Sequence, residues 1–422
     1  MALIQSKILP VFVAVLAVFL QIQLTLFSNK GYFGLRVNLA DILLPFLGVF
    51  ILFSLVLRKS EWPAWGLKAI PAFLLLLAFA MTASLINGYL NLGYFSNWAL
   101  VNKYTGLYIL ISYFLLGAWL STNFPEERFL IKNFIKPFVI FFAVILSLSF
   151  LGLCITNYSD ISVGLALYPW EGLMGNRNAF MLLAVLVFIL YEVYREELGN
   201  YIGYSLWLLL PTFFVFNASR SGWIIFCLIT LSCGIIKPKN FLKNILPILV
   251  LGSLIAYGLT LTTKEYYVSN PVQVDALKAL MGNDNYKMHG SDRKRLIAVE
   301  DGLELYSQSN PVLGAGLGTY KEFQIEKRGE FIDIIDFTAL WLLVETGVFG
   351  LTVFSLFFLS CLYVCYKKAY DKTHPSKFHV CVFFFLVLFL GLTLLHEFSY
   401  TRFLWVITGL AIAGKVETKK SA

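Results

Sequence analysis

Charge is scarce in this chain: of its 422 residues only 14% are Asp, Glu, Lys or Arg, while 59% are hydrophobic and 17% aromatic. A soluble domain of that size needs a far more polar surface, so a soluble globular enzyme is excluded. Histidine is rarer still, with four in the chain, and no pair stands at metal-ligand spacing with Cys or Asp. That leaves a structural or catalytic metal without support. The six cysteines all lie within or at the end of apolar runs, which argues for packing and against a disulfide framework. No phosphate-cradling Walker loop occurs, because GAGLGTY at 314–320 lacks the required lysine. Nucleotide hydrolysis therefore has no support, and no cofactor is expected. Internal repeats, low-complexity tracts and a soluble targeting segment are also missing. The first apolar run, from Ile8, has no small-residue cleavage site and reads as a retained first helix.

What the chain has instead is hydrophobic length. Apolar runs fall near 8–27, 39–57, 69–86, 99–120, 135–156, 178–194, 201–218, 221–236, 244–262, 337–363, 378–395 and 402–414. Runs of about 18 or more apolar residues are the mark of helices crossing a bilayer core of about 30 Å. The expectation is an all-α polytopic membrane protein of about 12 transmembrane helices. With the N-terminus in the cytoplasm, the breaks holding Arg58, Lys59 and Lys68, then Arg128, Lys132 and Lys136, then Lys237, Lys239 and Lys243, and then Lys367, Lys368, Lys372 and Lys377 fall inside, together with Arg195 and both ends of the chain. The positive-inside rule favours this orientation. The net charge of +8 follows mostly from it and implies no nucleic acid.

Residues 263–336 break the pattern of short connections. They form a long outer loop, partly helical: DALKALMG and RKRLIAVEDGLELYSQ space their apolar residues as helices do, and NPVLGAGLGTY reads as a turn ending the second helix. The organisation expected is 1–262 with helices one to nine, the loop 263–336, and 337–422 with helices ten to twelve and a cytoplasmic tail.

In FVFNASRSGW (214–223), Arg220 stands in a short outer turn, where positive charge is disfavoured. It either serves a ligand or snorkels to lipid phosphates. Arg177 in GLMGNRNAF and Arg402 in HEFSYTRF repeat the oddity, and Arg293, Lys294 and Arg295 add cations from the long loop. Guanidinium groups stay charged and grip phosphate oxygens bidentately, so the ligand class is a phosphate or diphosphate at headgroup depth. Arg177 and Asn178 also precede an apolar helix, whose free N–H groups favour an anion, although an ordinary N-cap reads the same way. Acids on this face include Glu171, Asp292, Glu300, Asp301, Asp333, Asp336, Glu345 and Glu397, most of which read as solvated; His289 in the long loop and His396 in LLHEFSYTR are the imidazoles nearby. Asp336 stands apart, because there the polar loop becomes the apolar run FTALWLLVETGVFGL. Burial raises its proton affinity and a neighbouring arginine lowers it. Glu345 reads either as a site residue or as a helix-fixing hydrogen-bond partner.

The order NASRSGW, then SDRKRLIAVEDGLELYSQSNPVLGAGLGTY, then DFTALWLLVETGVFGL, with MGNRNAFMLLAVL upstream, resembles the O-antigen ligase and Wzy-type polymerase superfamily from about Glu171 to Phe354. The resemblance implies a GT-C-like, metal-independent glycosyltransferase of the bacterial inner membrane, with both termini cytoplasmic and the active site on the periplasmic face. Its donor would be an undecaprenyl-diphosphate-linked glycan and its acceptor a second lipid-linked glycan or lipid A core, with membrane lipid around it and a chain-length regulator as a further partner. Arg220 and Arg295 match the family's diphosphate-gripping arginines. Where the ligases carry a histidine before the Glu345-Thr346-Gly347 motif, this chain has Asp336. The reading is therefore a polysaccharide polymerase with Asp336 activating the acceptor, and Arg177, Asn178, Arg293, Arg402, His396 and Glu345 on the substrates. The alternatives are a ligase, a transporter or flippase of lipid-linked sugars, and more distantly a scaffold.

Overall fold

The structure is a computed structural model, and it describes residues 8–26, 35–158, 173–174, 177–216, 220–236, 238–262, 290–372, 375–394 and 396–413. In chain order the principal helices are α1 (Leu9–Phe19), α2 (Leu43–Val56), α3 (Ala69–Leu92), α4 (Thr105–Asn123), α5 (Lys136–Tyr158), α6 (Arg177–Val193), α7 (Asn200–Phe216), α8 (Arg220–Ile236), α9 (Leu246–Thr262), α10 (Gly290–Ser307), α11 (Thr319–Arg328), α12 (Thr338–Ala369), α13 (Lys377–Leu392) and α14 (Arg402–Ile412). The chain is an all-α membrane protein, as its apolar runs require: a segment in lipid must satisfy its own backbone, and the helix does so locally.

Among the described residues six helical stretches are long and apolar enough to cross a bilayer: Leu39–Val56, Ala69–Leu92, Ala99–Asn123, Glu127–Ile155, Pro238–Leu259 and Thr338–Ala369. Leu9–Phe19, Asn178–Val193, Ile224–Ile235, Lys377–Leu392 and Arg402–Ile412 are apolar but shorter, at 10–17 residues. The expected twelve spans are thus represented by six of full length. Of the loop helices, RKRLIAVEDGLELYSQ lies in α10, whereas DALKALMG falls outside the described residues. Helix α11 has no counterpart in the expectation.

The contacts group into two compact units, Met1–Leu24 with Glu127–Met288, and Thr25–Glu126 with His289–Ala422. In the first, α6 is the central element: every described side chain from Ala179 to Tyr191 is buried. Its buried Glu192 accepts hydrogen bonds from Trp207 Nε1 at 2.9 Å and Asn240 Nδ2 at 3.4 Å. An acid that deep is tolerable only with such partners.

In the second unit, α4 packs against α14, an 11-residue helix buried on all sides. Small residues allow the approach: a Cβ on Gly409 would come within 2.1 Å of the Phe114 carbonyl oxygen. Aromatic rings fill the space beside them, with Phe357 stacked on Trp405 at 5.6 Å and Phe114 edge-on to Phe357 at 5.2 Å. This core carries α12, and α12 carries the site.

Candidate active site

Helix α12 is broken at Gly347, whose φ of 68° and ψ of −173° are non-helical. A break inside an apolar span strands backbone groups, and each stranded group costs several kcal/mol in lipid. Here the loop 310–318 supplies the partners. Ala315 and Gly316 donate N–H to the carbonyls of Val344 (2.8 Å) and Glu345 (3.1 Å), and the amides of Val348 and Phe349 donate to the carbonyls of Pro311 (3.0 Å) and Val312 (3.1 Å). Asn87 and Asn91 of α3 donate to the carbonyls of Gly314 (3.0 Å) and Ala315 (2.7 Å), and Leu317 N reaches Ser84 O at 2.9 Å. The glycines are required by space and by angle. Gly314, Gly316 and Gly318 all have positive φ, and a Cβ on Gly314 would stand 2.5 Å from Gly347 N. Glu345 locks the loop, with Oε1 accepting from Gly318 N at 3.1 Å and Oε2 from Trp341 Nε1 at 2.9 Å. Of its two readings, this contact set is the hydrogen-bonding one.

Before the loop, α10 is pinned to α11 through one acid. Asp301 has no solvent exposure and receives Arg328 Nε (2.7 Å) and Nη2 (2.8 Å), Lys327 Nζ (2.9 Å) and Gln324 Nε2 (3.1 Å). Burial pushes its carboxyl up, but the hydrogen bonds from Arg328, Lys327 and Gln324 outweigh it and hold the group down at about 2. Asp301 is therefore not a solvated surface acid.

This clasp fixes the face of α10 that presents Arg295. Its Nε lies 2.9 Å from Asp336 Oδ2, at the entrance to α12, with both side chains partly open to solvent at 39% and 22% exposure. Burial raises the proton affinity of Asp336 and Arg295 lowers it, with a net upward shift; Asp333 is raised by burial as well. Buried His396 is held down at about 4 by desolvation first and by the Arg295 charge second, so at neutral pH it is an uncharged imidazole. Its carbonyl accepts from Thr338 Oγ1 at 3.1 Å, which ties it to the first turn of α12.

Two further ion pairs sit in this unit. Lys103 is buried, with Nζ 2.8 Å from Glu397 Oε1, 4.0 Å from the centroid of the Trp341 ring and 4.9 Å from that of Tyr400. Sequence reasoning did not select Lys103 or Trp341. The available signal was a cation within an apolar run, on a turn that coils as a π-helix over Ala99–Tyr104, a geometry frequent at functional sites. Arg402 is likewise buried and engaged, with Nη2 3.0 Å from Asp41 Oδ2, while Tyr113 donates to Asp41 Oδ1 at 2.8 Å. Arg293 is exposed on α10. In the first unit, Arg177 and Arg220 open α6 and α8, but their side chains lie outside the described residues. Asn178 follows Arg177 in α6 and is partly buried. Among the described residues no three His, Cys, Asp or Glu side chains come together as a metal site.

A helix broken within an apolar stretch of span length, a glycine loop seated in the break and an Arg295–Asp336 pair at its mouth define an all-α membrane protein with a polar site at the head of that helix. Comparison with known families makes this more particular: residues 204–355 match the family model described as O-antigen ligase. The match covers about a third of the chain, and over that segment the chain is similar to the O-antigen ligase and polymerase superfamily. The matched segment contains Arg220, Arg295, the glycine loop, Asp336 and the Glu345-Thr346-Gly347 break. No curated protein and no solved structure matches the chain.

Proposed function

We propose that this protein is a bacterial inner-membrane polysaccharide polymerase, moving a glycan from undecaprenyl diphosphate onto a sugar hydroxyl of another lipid-linked repeat unit. The similarity to the O-antigen ligase family supports a role in polysaccharide assembly. The observation that carries the finer reading is the Arg295–Asp336 contact of 2.9 Å at the solvent-reached head of α12. Asp336 is a carboxylate with raised proton affinity, suited to take a proton, and Arg295 is a permanent cation suited to a diphosphate.

The two roles are linked through that contact. When the donor's diphosphate arrives, Arg295 turns from Asp336 to the phosphate oxygens and leaves the carboxylate free to act as a base. The acceptor oxygen attacks the anomeric carbon from the face opposite the diphosphate. The new C–O bond forms as the bond to the diphosphate breaks, the proton passes to Asp336, and Arg220 and Arg295 take up the charge on the leaving group. The configuration at the anomeric carbon inverts. No nucleotide enters, because the leaving group carries the energy. Arg177, Asn178, Arg293, Arg402 and His396 are assigned to substrate contact or its support.

The test is a reconstituted assay of the purified protein with one lipid-diphosphate-linked repeat unit, and a parallel tube with lipid A core. A ladder without lipid A core supports the polymerase; product only with lipid A core replaces it with the ligase. Loss of transfer in Arg220→Ala and Arg295→Ala, with the protein still folded in the membrane, supports the diphosphate role, and normal product from both variants refutes it.

A further inference from the structure

In the first unit, two short connections meet at one end of four helices. The link from α6 to α7 carries Arg195, and the link from α8 to α9 carries Asn240 and Asn244. Arg177 opens α6 and Arg220 opens α8, and each helix runs 17 residues before these links, about 25 Å of axis. The links therefore lie a helix length away from Arg177 and Arg220.

Between them is an open pocket of about 480 Å³ lined by Arg195, Glu196, Asn200, Tyr204, Asn240 and Asn244, together with Gly199. Arg195 is its organising group. The residue is only 9% exposed, yet its guanidinium meets neutral acceptors: Nε donates to Asn200 Oδ1 at 2.9 Å and Nη1 to Asn240 Oδ1 at 2.6 Å. Tyr204 covers one face, its ring centroid 5.7 Å from the guanidinium carbon. No carboxylate among the described residues comes within ion-pair distance of it. Buried Glu192 is joined to it through the amide of Asn240. Of a guanidinium's five N–H donors, two are committed and the others have no acceptor among the described residues.

A cation nine-tenths buried without a direct counter-charge is costly, and an oxyanion in the pocket removes that cost. The lining suits one. Asn200 and Asn240 both turn their carbonyl oxygens to Arg195, and the Asn200 amide nitrogen has no acceptor among the described residues. Glu196 opposes an anion, but it is exposed at the rim, where water and salt screen it. From these groups we infer that the pocket binds a phosphate group, a helix length from Arg220, with Arg195 as its fork. The phosphate comes either on a phospholipid headgroup or on a soluble molecule. The inference stands apart from the glycan transfer reading, and its test needs no glycan.

The experiment is native mass spectrometry of the purified full chain with phosphatidylglycerol and with diacylglycerol of the same acyl chains, beside calorimetric titration with inorganic phosphate. Two variants are compared with the wild type. Arg195→Gln removes the charge. Asn200→Asp keeps Arg195 and sets a carboxylate against its Nε, filling the anion's electrostatic role from within. The expected result is preference for phosphatidylglycerol over diacylglycerol in the wild type, weakened about tenfold or more in both variants, as loss of a charge-assisted hydrogen bond implies. Inorganic phosphate bound by the wild type and lost in the variants marks a soluble source, and dependence on the lipid alone marks a headgroup. A residue that only ties two links together predicts a different result: Asn200→Asp, with the tie strengthened, binds phosphatidylglycerol and phosphate as the wild type does. That outcome overturns the inference, and because Asn200→Asp conserves shape it decides the matter even where Arg195→Gln does not fold.

Discussion

Asp301→Asn isolates the clasp that holds α10 against α11. The carboxyl moves from an ordinary value of 3.8 to about 2 on folding, which corresponds to roughly 2.5 kcal/mol of stabilisation at neutral pH. Asparagine keeps the shape but turns an amide N–H₂ towards the donors of Arg328, Lys327 and Gln324. Removing one member of a buried pair costs about 3–5 kcal/mol where the partner stays dry. Here Lys327 and Arg328 are about a third exposed, at 32% and 29%, and regain water, so the lower end applies. The expected loss is about 2–3 kcal/mol, read as a fall of several degrees in the melting temperature of the detergent-purified protein and as faster proteolysis within 290–330. The pH dependence has a definite sign. The folded-state value lies below the unfolded one, so the contribution is present above pH 3.8 and is lost as pH falls through about 2. The gap between wild type and Asp301→Asn should hold steady from pH 5 to 8 and shrink by about half at pH 3. A variant that melts with the wild type at neutral pH, or a gap unchanged at pH 3, refutes the argument.

Gly347→Ala sets a Cβ 2.2 Å from the Val312 carbonyl oxygen at a positive φ, so it should expel the loop from the break and abolish transfer; full activity in this variant would mean the loop is not seated there. For Asp336→Asn we expect transfer to fall by about 10²–10⁴, the usual reach of general-base catalysis, with substrate affinity kept. In the wild type the acid limb of the pH–rate profile should lie above the ordinary carboxylate range, because burial raises Asp336 and its basic form is lost as pH falls through that raised value. An unchanged rate in Asp336→Asn excludes it as the base. Lys103→Met leaves Glu397 without its ion-pair partner and should destabilise the protein by about 3 kcal/mol, whereas Lys103→Met with Glu397→Leu should recover most of that in a double-mutant cycle.

The helices were legible because lipid leaves the backbone one local solution, and apolar runs of span length announce it. Helix α10 was legible for a related reason, the helical spacing of its apolar residues. Helix α11 was not: TYKEFQIEKR is polar and follows a glycine turn, and its anchor is an acid 23–27 residues earlier. For the same cause nothing set Asp301 apart from the mostly solvated acids of its face, since its partners stood on a helix that sequence pattern did not reveal. The Arg295 and Asp336 positions could be chosen from charge at a polar-to-apolar boundary and from the resemblance, but their contact spans 41 residues and had no local signature. The seating of the glycine loop was less legible still. NPVLGAGLGTY signals a turn, but its partners on α3 lie 224 and 227 residues away, and only Asn87 and Asn91 in an apolar helix hinted at them.

The break in α12 also bears on how the chain is made. A span interrupted at Gly347 enters the membrane with peptide groups unanswered unless their partners are already there. Every partner described above precedes it in the chain: Ser84, Asn87 and Asn91 on α3, and then Pro311, Val312, Ala315, Gly316 and Gly318. During synthesis from the N-terminus, the complement of the break exists before the break emerges. The upper half of α12 can settle onto a template as it leaves the ribosome, without waiting for α13 and α14.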